Sequence, residues 1–401
     1  NREAPSEGEA TAYGGFYTQE EIKDILHYAA ERQITIVPEI DIPGHSMALL
    51  AAYPELSTLK EPKMVNPGSS FADWHGDGTF TMKIENSLNP SDEKVYAILG
   101  TIFGEVAALF PGQYIHIGGD ECYHGFWEKD PGCVALMQKE NLKDAKELQS
   151  YFIKKVVNII TSKGKKAIGW DEILYGGLAD GAAIMSWRGT KGGIEASKAG
   201  HEVVMSPNSF AYLDYTQGDP SVEVPVYAKL SLKKAYEFEP APEGVDSKYI
   251  LGGQGNLWTE KIPTIEHAFY MTYPRALAII ESVWSPSEKK EWNNFSTRLE
   301  THFNRFETAG KPISKAVYDP IVIVKKQDGK MMCTLSNDLS NVDIYYTIDG
   351  TFPAQYSTKY TQPFEIPKGD ITFRAVSYRN GKPIGRTLTI SKEMLEKRIG
   401  K

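Results

Sequence analysis

Six short apolar runs, at residues 34–40, 114–117, 166–172, 182–187, 202–205 and 250–255, alternate with stretches of helical periodicity. The helical patterns cover 22–30, 91–110, 144–160, 192–199, 231–238 and about 264–284, the last as one long helix. The first opens on a capping box, Thr18 with Glu21 three residues on, which satisfies two free N–H groups at a helix start. Apolar runs of strand length between helices predict a parallel sheet covered by helices. Polar and aromatic residues gather just past the C-terminal end of each run, the end that carries ligands in α/β sheets and barrels. No G-x-G-x-x-G opens a helix and no P-loop occurs, so nothing here cradles a dinucleotide or nucleotide phosphate.

The expected fold class is α/β: a (β/α)8 TIM-type barrel with about six of its eight strands visible, followed by a small all-β sandwich. The second part starts near residue 313, where runs at 321–324, 342–348 and 371–378 follow one another without helices. Asp349-Gly350 and Asn380-Gly381 are hairpin turn signals there. The expected domains are 1–312 and 313–401. Segments 54–90 and 207–226 read as long irregular loops, which on a barrel are usually functional. Residues 1–13 read as the tail of a loop.

Composition excludes several classes. The net charge of -8, with no Lys/Arg cluster, argues against a nucleic-acid surface, which needs massed cations. No apolar run approaches the ~20 residues of a membrane span. Cys122, Cys133 and Cys333 form neither a disulfide framework nor a zinc pattern, although the first two could close a short loop. A metal set of His116, Asp120, Glu121 and His124 lacks a recognised ligand spacing, and neither metal nor cofactor is expected.

The chemistry centres on residues 114–121, a β-branched strand running through Gly118-Gly119 to Asp120 and Glu121. The other strand ends supply Asp41 and His45, Trp170, Trp187, Tyr212 with Asp214, and Trp258 with Glu260. Indole faces suit the C–H groups of a sugar ring, and carboxylates accept from its hydroxyls. Glycosidic cleavage ordinarily uses carboxyl groups on opposite sides of the bond, ~5–5.5 Å apart for retention or ~6.5–9.5 Å for inversion. Two chain neighbours fit that poorly. A 2-acetamido carbonyl can instead attack its own C1, with the advantage of an intramolecular reaction. The protein then supplies an acid for the leaving oxygen and a carboxylate for the acetamido N–H. His116 reads as structural, Asp171-Glu172 as a helix cap and Trp284 as packing. Trp74 and His75 suit a sugar contact or loop packing equally.

Residues 37–45 (VPEIDIPGH), 116–121 (HIGGDE), 169–172 (GWDE), 212–214 (YLD) and 258–260 (WTE), with 273–278 (YPRALA) through Glu281 and Trp284, occur in one order. The ordered set resembles the glycoside hydrolase family 20 β-N-acetylhexosaminidases over roughly residues 15–285. The resemblance implies an exo-acting retaining hydrolase releasing terminal β-linked GlcNAc or GalNAc through an oxazolinium intermediate. It makes Glu121 the general acid/base, Asp120 the acetamido-nitrogen and oxazolinium partner, and Tyr212 a donor to the acetamido oxygen. Trp170, Trp187 and Trp258 become pocket walls, Asp214 and Glu260 bind the C4 and C6 hydroxyls, and Asp41 and His45 stand behind Glu121. It also implies glycan substrates, an extracytoplasmic location and, through residues 344–350 and 371–375, the small β-sandwich often attached to such enzymes. Self-association is left open, as are linkage and GlcNAc versus GalNAc preference.

The pattern departs from the family at its start, since nothing resembles the first two strands with their hydroxyl-binding arginine. Six strands do not close an eight-stranded barrel, so two exposed sheet edges are expected. A non-catalytic glycan-binding protein on an incomplete barrel is the alternative reading.

Overall fold

The structure is a computed structural model that describes residues 16–65, 71–76 and 79–399; the loop tail expected at 1–13 lies outside them. Contacts divide the chain into two units, Asn1–Val204 with Glu243–Leu251, and Met205–Pro242 with Gly252–Lys401.

The first unit carries strands β1 (Glu39–Ile42), β2 (Ala72–Trp74), β3 (Phe80–Met82), β4 (Tyr114–Gly118), β5 (Lys166–Trp170) and β6 (Ala183–Ser186). Strands β7 (Val203–Met205) and β8 (Ile250–Gly253) begin in it. Six strands form one sheet in the order β1-β4-β5-β6-β7-β8. The first three pairings are parallel. Spatial order thus follows chain order, as successive βα units require, and the sheet has edges at β1 and β8.

The helices of this unit are α1 (Gln19–Ala30), α2 (Met47–Ala52), α3 (Glu93–Leu109), α4 (Pro131–Lys139), α5 (Ala145–Ser162) and α6 (Lys191–Lys198). Helix α5 starts where Asp144 accepts from the backbone N–H groups of Lys146 and Glu147. It buries Leu148, Phe152, Val156 and Ile160 completely, one stripe at four-residue spacing.

Three expectations change here. The run 34–40 is a regular strand only from Glu39, and Ile34 and Val37 are exposed. β1 lies at the sheet edge, and Pro38, which has no N–H to give, only accepts, from the His116 N–H at 2.8 Å. Helix α1 buries Ala29 alone. Segment 54–90 is not wholly irregular, since β2 and β3 form an antiparallel hairpin with the Trp74 and Phe80 rings 4.8 Å apart. Buried Glu85 anchors it by accepting from Thr58 and Leu59 and pairing with Lys63 at 3.1 Å.

The second unit holds helices α7 (Asn208–Ala211), α8 (Leu232–Tyr236), α9 (Ile265–Thr272), α10 (Arg275–Trp284), α11 (Trp292–Thr308) and α12 (Lys392–Glu396). The single helix expected over 264–284 is two, α9 and α10, divided at Tyr273-Pro274 because proline cannot continue the ladder. Helix α11 was not foreseen. Its Phe295, Leu299 and Phe303 pack with Leu232, Tyr236 and Ala278.

Strands β9 (Ile321–Gln327), β10 (Lys330–Ser336), β11 (Asp343–Thr347), β12 (Thr358–Lys359), β13 (Phe364–Glu365), β14 (Thr372–Arg379), β15 (Lys382–Pro383) and β16 (Leu388–Ser391) complete the unit. They form a β13-β10-β9 sheet and a β12-β11-β14-β15 sheet with β16 also on β14. Buried Val324, Leu335, Ile344, Phe373 and Ile390 belong to one core. Asn380-Gly381 turns β14 into β15 with both φ angles positive, 53° and 71°. Asp349-Gly350 lies in the long connection between the antiparallel β11 and β12 rather than in a two-residue turn; the Gly350 N–H donates to Thr372 O at 3.0 Å.

Two arginines of this β region reach segment 207–226. Arg386 binds Asp319 at 2.5 Å and Glu223 at 2.7 Å. Arg398 binds both oxygens of Asp219 at 2.7 Å.

Candidate active site

β4 ends at Gly118 (φ 68°), and Gly119 (φ 95°) continues the bend. A Cβ on Gly118 would fall 1.7 Å from Asp41 Oδ1, and one on Gly119 2.3 Å from Ile173 Cγ2. The bend needs glycine for its backbone angles and for the space. Glu121 (φ 46°) and His45 (φ 47°) are also left-handed, a costly conformation for side-chain-bearing residues that tends to gather at functional sites.

His45 Nε2 stands 3.4 Å from Asp120 Oδ2 and 3.5 Å from Glu121 Oε2. The adjacent carboxylates therefore share one imidazole. Burial opposes charging that ring, but the bonds to Asp120 and Glu121 and the nearby Asp120 and Asp41 charges outweigh it, raising its pKa to about 11. One oxygen of Asp41 and one of Asp120 lie within 4.8 Å of each other. Burial first, then the Asp120 charge, pushes Asp41 up to about 9.

Beneath this cluster, buried His116 places Nδ1 3.0 Å from Glu39 Oε1, and its ring lies edge-on to Trp170 at 4.8 Å. The Trp170 indole N–H donates to the same Glu39 oxygen at 3.1 Å. Trp187 donates from Nε1 to Glu172 Oε2 at 2.9 Å. Its backbone N–H and that of Arg188 donate to Asp171 Oδ2 at 3.2 and 3.3 Å. Burial, opposed by Arg188, raises Glu172 to about 8. Sequence reasoning missed Asp171 and Glu172, which brace Trp187 rather than cap a helix. They follow Trp170 at a strand end as Asp120-Glu121 follow β4, a signal that was present.

The remaining expected residues lie in the second unit. Tyr212 is buried, its ring 6.4 Å from Trp258 and 5.4 Å from Tyr215. The Leu213 N–H donates to Asn256 O at 2.6 Å, and the Asn256 N–H to Ala211 O at 2.8 Å, tying the Tyr212 segment to the one leading to Trp258. Asp214 is buried, and its Oδ1 has no donor among the described residues. Burial, aided by the Glu260 charge against backbone N–H bonds, raises it to about 6. A cavity of about 10 Å³ touches Asp214, Tyr227, Trp258, Glu260 and His267. Arg275, fully buried, donates to the carbonyls of Leu213, Tyr215, Leu230 and Met271 at 2.5–3.0 Å. It holds the chain on either side of Asp214, a role the sequence did not reveal.

The expected set thus falls into two close groups: Asp41, His45, Asp120, Glu121, Trp170 and Trp187 in the first unit, and Tyr212, Asp214, Trp258 and Glu260 in the second. Cys122, Cys133 and Cys333 are free thiols. Among the described residues, His116, Asp120, Glu121 and His124 do not form a cluster of ligand atoms, and His124 Nε2 lies 2.7 Å from Gln149 Oε1. Asp41, His45 and Asp120 do present ligand atoms within 4.8 Å of one another. Chemically, the first group offers a fixed carboxylate beside a second acid, with indoles close by.

Comparison with known proteins bears on this arrangement. The sequence model described as glycosyl hydrolase family 20, catalytic domain, matches residues 2–287, and one described as Fn3 associated matches 333–391. A beta-hexosaminidase of Porphyromonas gingivalis is 40% identical over 386 residues, covering 93% of this chain and 47% of that protein. The exo beta-N-acetylglucosaminidase of Vibrio harveyi, solved in complex with N-acetylglucosamine, superposes with a TM-score of 0.66 at 34% identity, covering 76% of this chain and 47% of that one. The Flavobacterium johnsoniae chitobiase does so with 0.63 at 35% identity, covering 77% and 44%. The chain spans about half the length of the curated relatives it matches.

Proposed function

We propose, for a chain that belongs to glycosyl hydrolase family 20, that it is an exo-acting retaining β-N-acetylhexosaminidase working on terminal non-reducing GlcNAc or GalNAc. The observation that carries the reading is the shared imidazole: Asp120 and Glu121 both lie within 3.5 Å of His45 Nε2. Acids held so close on one bend approach a docked sugar from the same side. A nucleophile and an acid on opposite sides of the bond are then not available from this pair, and the substrate's acetamido oxygen fills the nucleophile's place.

In this reading Glu121 protonates the leaving oxygen as the C1 bond breaks. Asp120 accepts from the acetamido N–H, orients the carbonyl for attack on C1, and offsets the positive charge of the oxazolinium. Glu121 then takes a proton from the water that opens the ring, returning a β-configured product. Tyr212 steadies the acetamido oxygen, Trp170, Trp187 and Trp258 wall the sugar, and Asp214 and Glu260 take its hydroxyls. The partners are β-N-acetylhexosaminide glycans, and the location is extracytoplasmic, which fractionation of the native host tests. No helix among the described residues is long and apolar enough to cross a membrane.

Hydrolysis of an aryl β-N-acetylglucosaminide tests the reading. Glu121→Gln should lower kcat by about 10²–10⁴-fold, and a thiazoline mimic of the oxazoline should inhibit. Wild-type turnover unaffected by Glu121→Gln, or efficient cleavage of a β-glucoside without the acetamide, overturns it.

A further inference from the structure

Two oxygens at the centre of the first unit lack a donor. Asp41 Oδ1 and Asp120 Oδ1 are both fully buried, and neither has a hydrogen-bond partner among the described residues. Buried polar atoms are nearly always partnered, and a carboxylate only accepts. One oxygen of each carboxyl group lies within 4.8 Å of the other. Two ionised carboxylates buried this close have no hydrogen to share and leave both orphaned oxygens without a donor, whereas a proton on one of them serves the pair.

We propose that Asp41 is a positioning residue that keeps its proton at neutral pH and donates it to Asp120, locking that carboxylate at the angle at which it meets the substrate. The inference rests on the reading above for what Asp120 does, whereas the location of the proton stands apart from it.

The surroundings decide which partner holds the proton. Asp120 has the imidazolium of His45 at 3.4 Å and keeps some access to solvent, so its charge is compensated. Asp41 faces Asp120, Glu39, the Cys122 thiol and His45. Of these only His45 can be cationic, and its Nε2 is already shared by Asp120 and Glu121. The seat is built to shape, since Asp41 Oδ1 occupies the place where any Cβ on residue 118 would stand. A neutral Asp41 leaves one buried negative charge in the pair where there would otherwise be two. The raised Asp41 pKa, about 9 with burial as its chief cause, agrees. When pH passes that value the donor is lost and two buried anions face each other. The orientation of Asp120 should then fail, giving an alkaline fall in kcat with little change in KM.

Infrared spectroscopy with carboxyl-labelled aspartate reads the proton directly. A protonated-carboxyl band should be present at pH 8, where Asp214 has ionised, should fade towards pH 10, and should be missing from Asp41→Asn. Its absence from the wild type, or its survival in Asp41→Asn, overturns the proposal. In kinetics, Asp41→Asn keeps a donor that cannot titrate. It should retain kcat within about tenfold at pH 7 and lose the alkaline limb, while Asp41→Ala should fall about 10–100-fold, as removal of a supporting partner does. Identical pH profiles for wild type and Asp41→Asn, or activity lost to EDTA and restored by zinc, which would put a metal between the acids, also overturn it. If the wild type proves inactive on hexosaminides, the function reading fails alone, and the infrared result still decides the proton.

Discussion

Arg275 gives the sharpest test of how the second unit is held together. Its guanidinium, with no exposed surface, donates at 2.5–3.0 Å to four carbonyls from three stretches of chain: Leu213 and Tyr215, Leu230, and Met271. Arg275→Met keeps the bulk of the side chain and removes all four bonds. A hydrogen bond with a charged donor contributes about 1.5–3 kcal/mol, and dehydrating the guanidinium costs several kcal/mol in return. The net loss should be about 3–5 kcal/mol, the range for removing one partner from a buried charged cluster. At about 2–4 °C per kcal/mol for a unit of roughly 150–250 residues, the melting midpoint should drop by roughly 6–20 °C. Calorimetry measures it, with Arg298→Met as the control. Arg298 pairs with Glu281 at 2.5 Å but is half exposed, and its loss should cost about 1 kcal/mol or less. An Arg275→Met protein melting within about 2 °C of the wild type would refute the reasoning. So would a drop matched by Arg298→Met, since the carbonyls would then have found other donors.

Three further outcomes are expected. Gly118→Ala should cost about 1–2 kcal/mol for the left-handed backbone plus about 1–3 kcal/mol for the collision with Asp41. Gly164→Ala, at φ 76° with nothing within 4 Å of the new Cβ, should cost the first part only, as paired urea titrations would reveal. Glu172, raised to about 8 against an ordinary 4.5, binds its proton more tightly when folded, so its contribution is complete below about pH 4.5 and is lost as pH rises through 8. The wild type should therefore lose stability from pH 5 to 8, by up to about 1.4 kcal/mol per pH unit from this residue. Glu172→Gln should flatten that slope in urea titrations at the two pH values, and parallel slopes would contradict the assignment. Arg398→Ala leaves buried Asp219 without its bidentate partner and should cost about 3–5 kcal/mol, whereas a loss under about 1 kcal/mol would show that pair to behave like a surface one.

The alternation of strands and helices was legible because it rests on local periodicity, and β4, β5 and β6 form close to where their apolar runs stand. What escaped notice depends on partners far off in the chain. Whether residues 34–38 make a ladder depends on their edge position beside β4. The apolar positions of α11 recur every four residues, but Trp292, Asn293, Asn294 and Arg298 among them mask the stripe. The division at Pro274 was readable from proline chemistry and was overridden by the continuous apolar pattern around it. The acids and tryptophans at the strand ends announced themselves by type. The partners that hold them did not: the lone pairs of Glu39 and Glu172, or the five N–H groups of Arg275, mean nothing until the chain has brought a recipient within 3 Å.

The arginines at 386 and 398 set a practical rule for anyone cutting this gene. A plasmid ending after residue 312 would encode Asp219 and Glu223 without the cations that neutralise them, in the same loop that follows Asp214. A grafted β module from a cousin would have to bring both arginines, each at its own depth. The stretch from 313 onward is thus less a passenger to be clipped off than part of the mould in which the 207–226 loop sets.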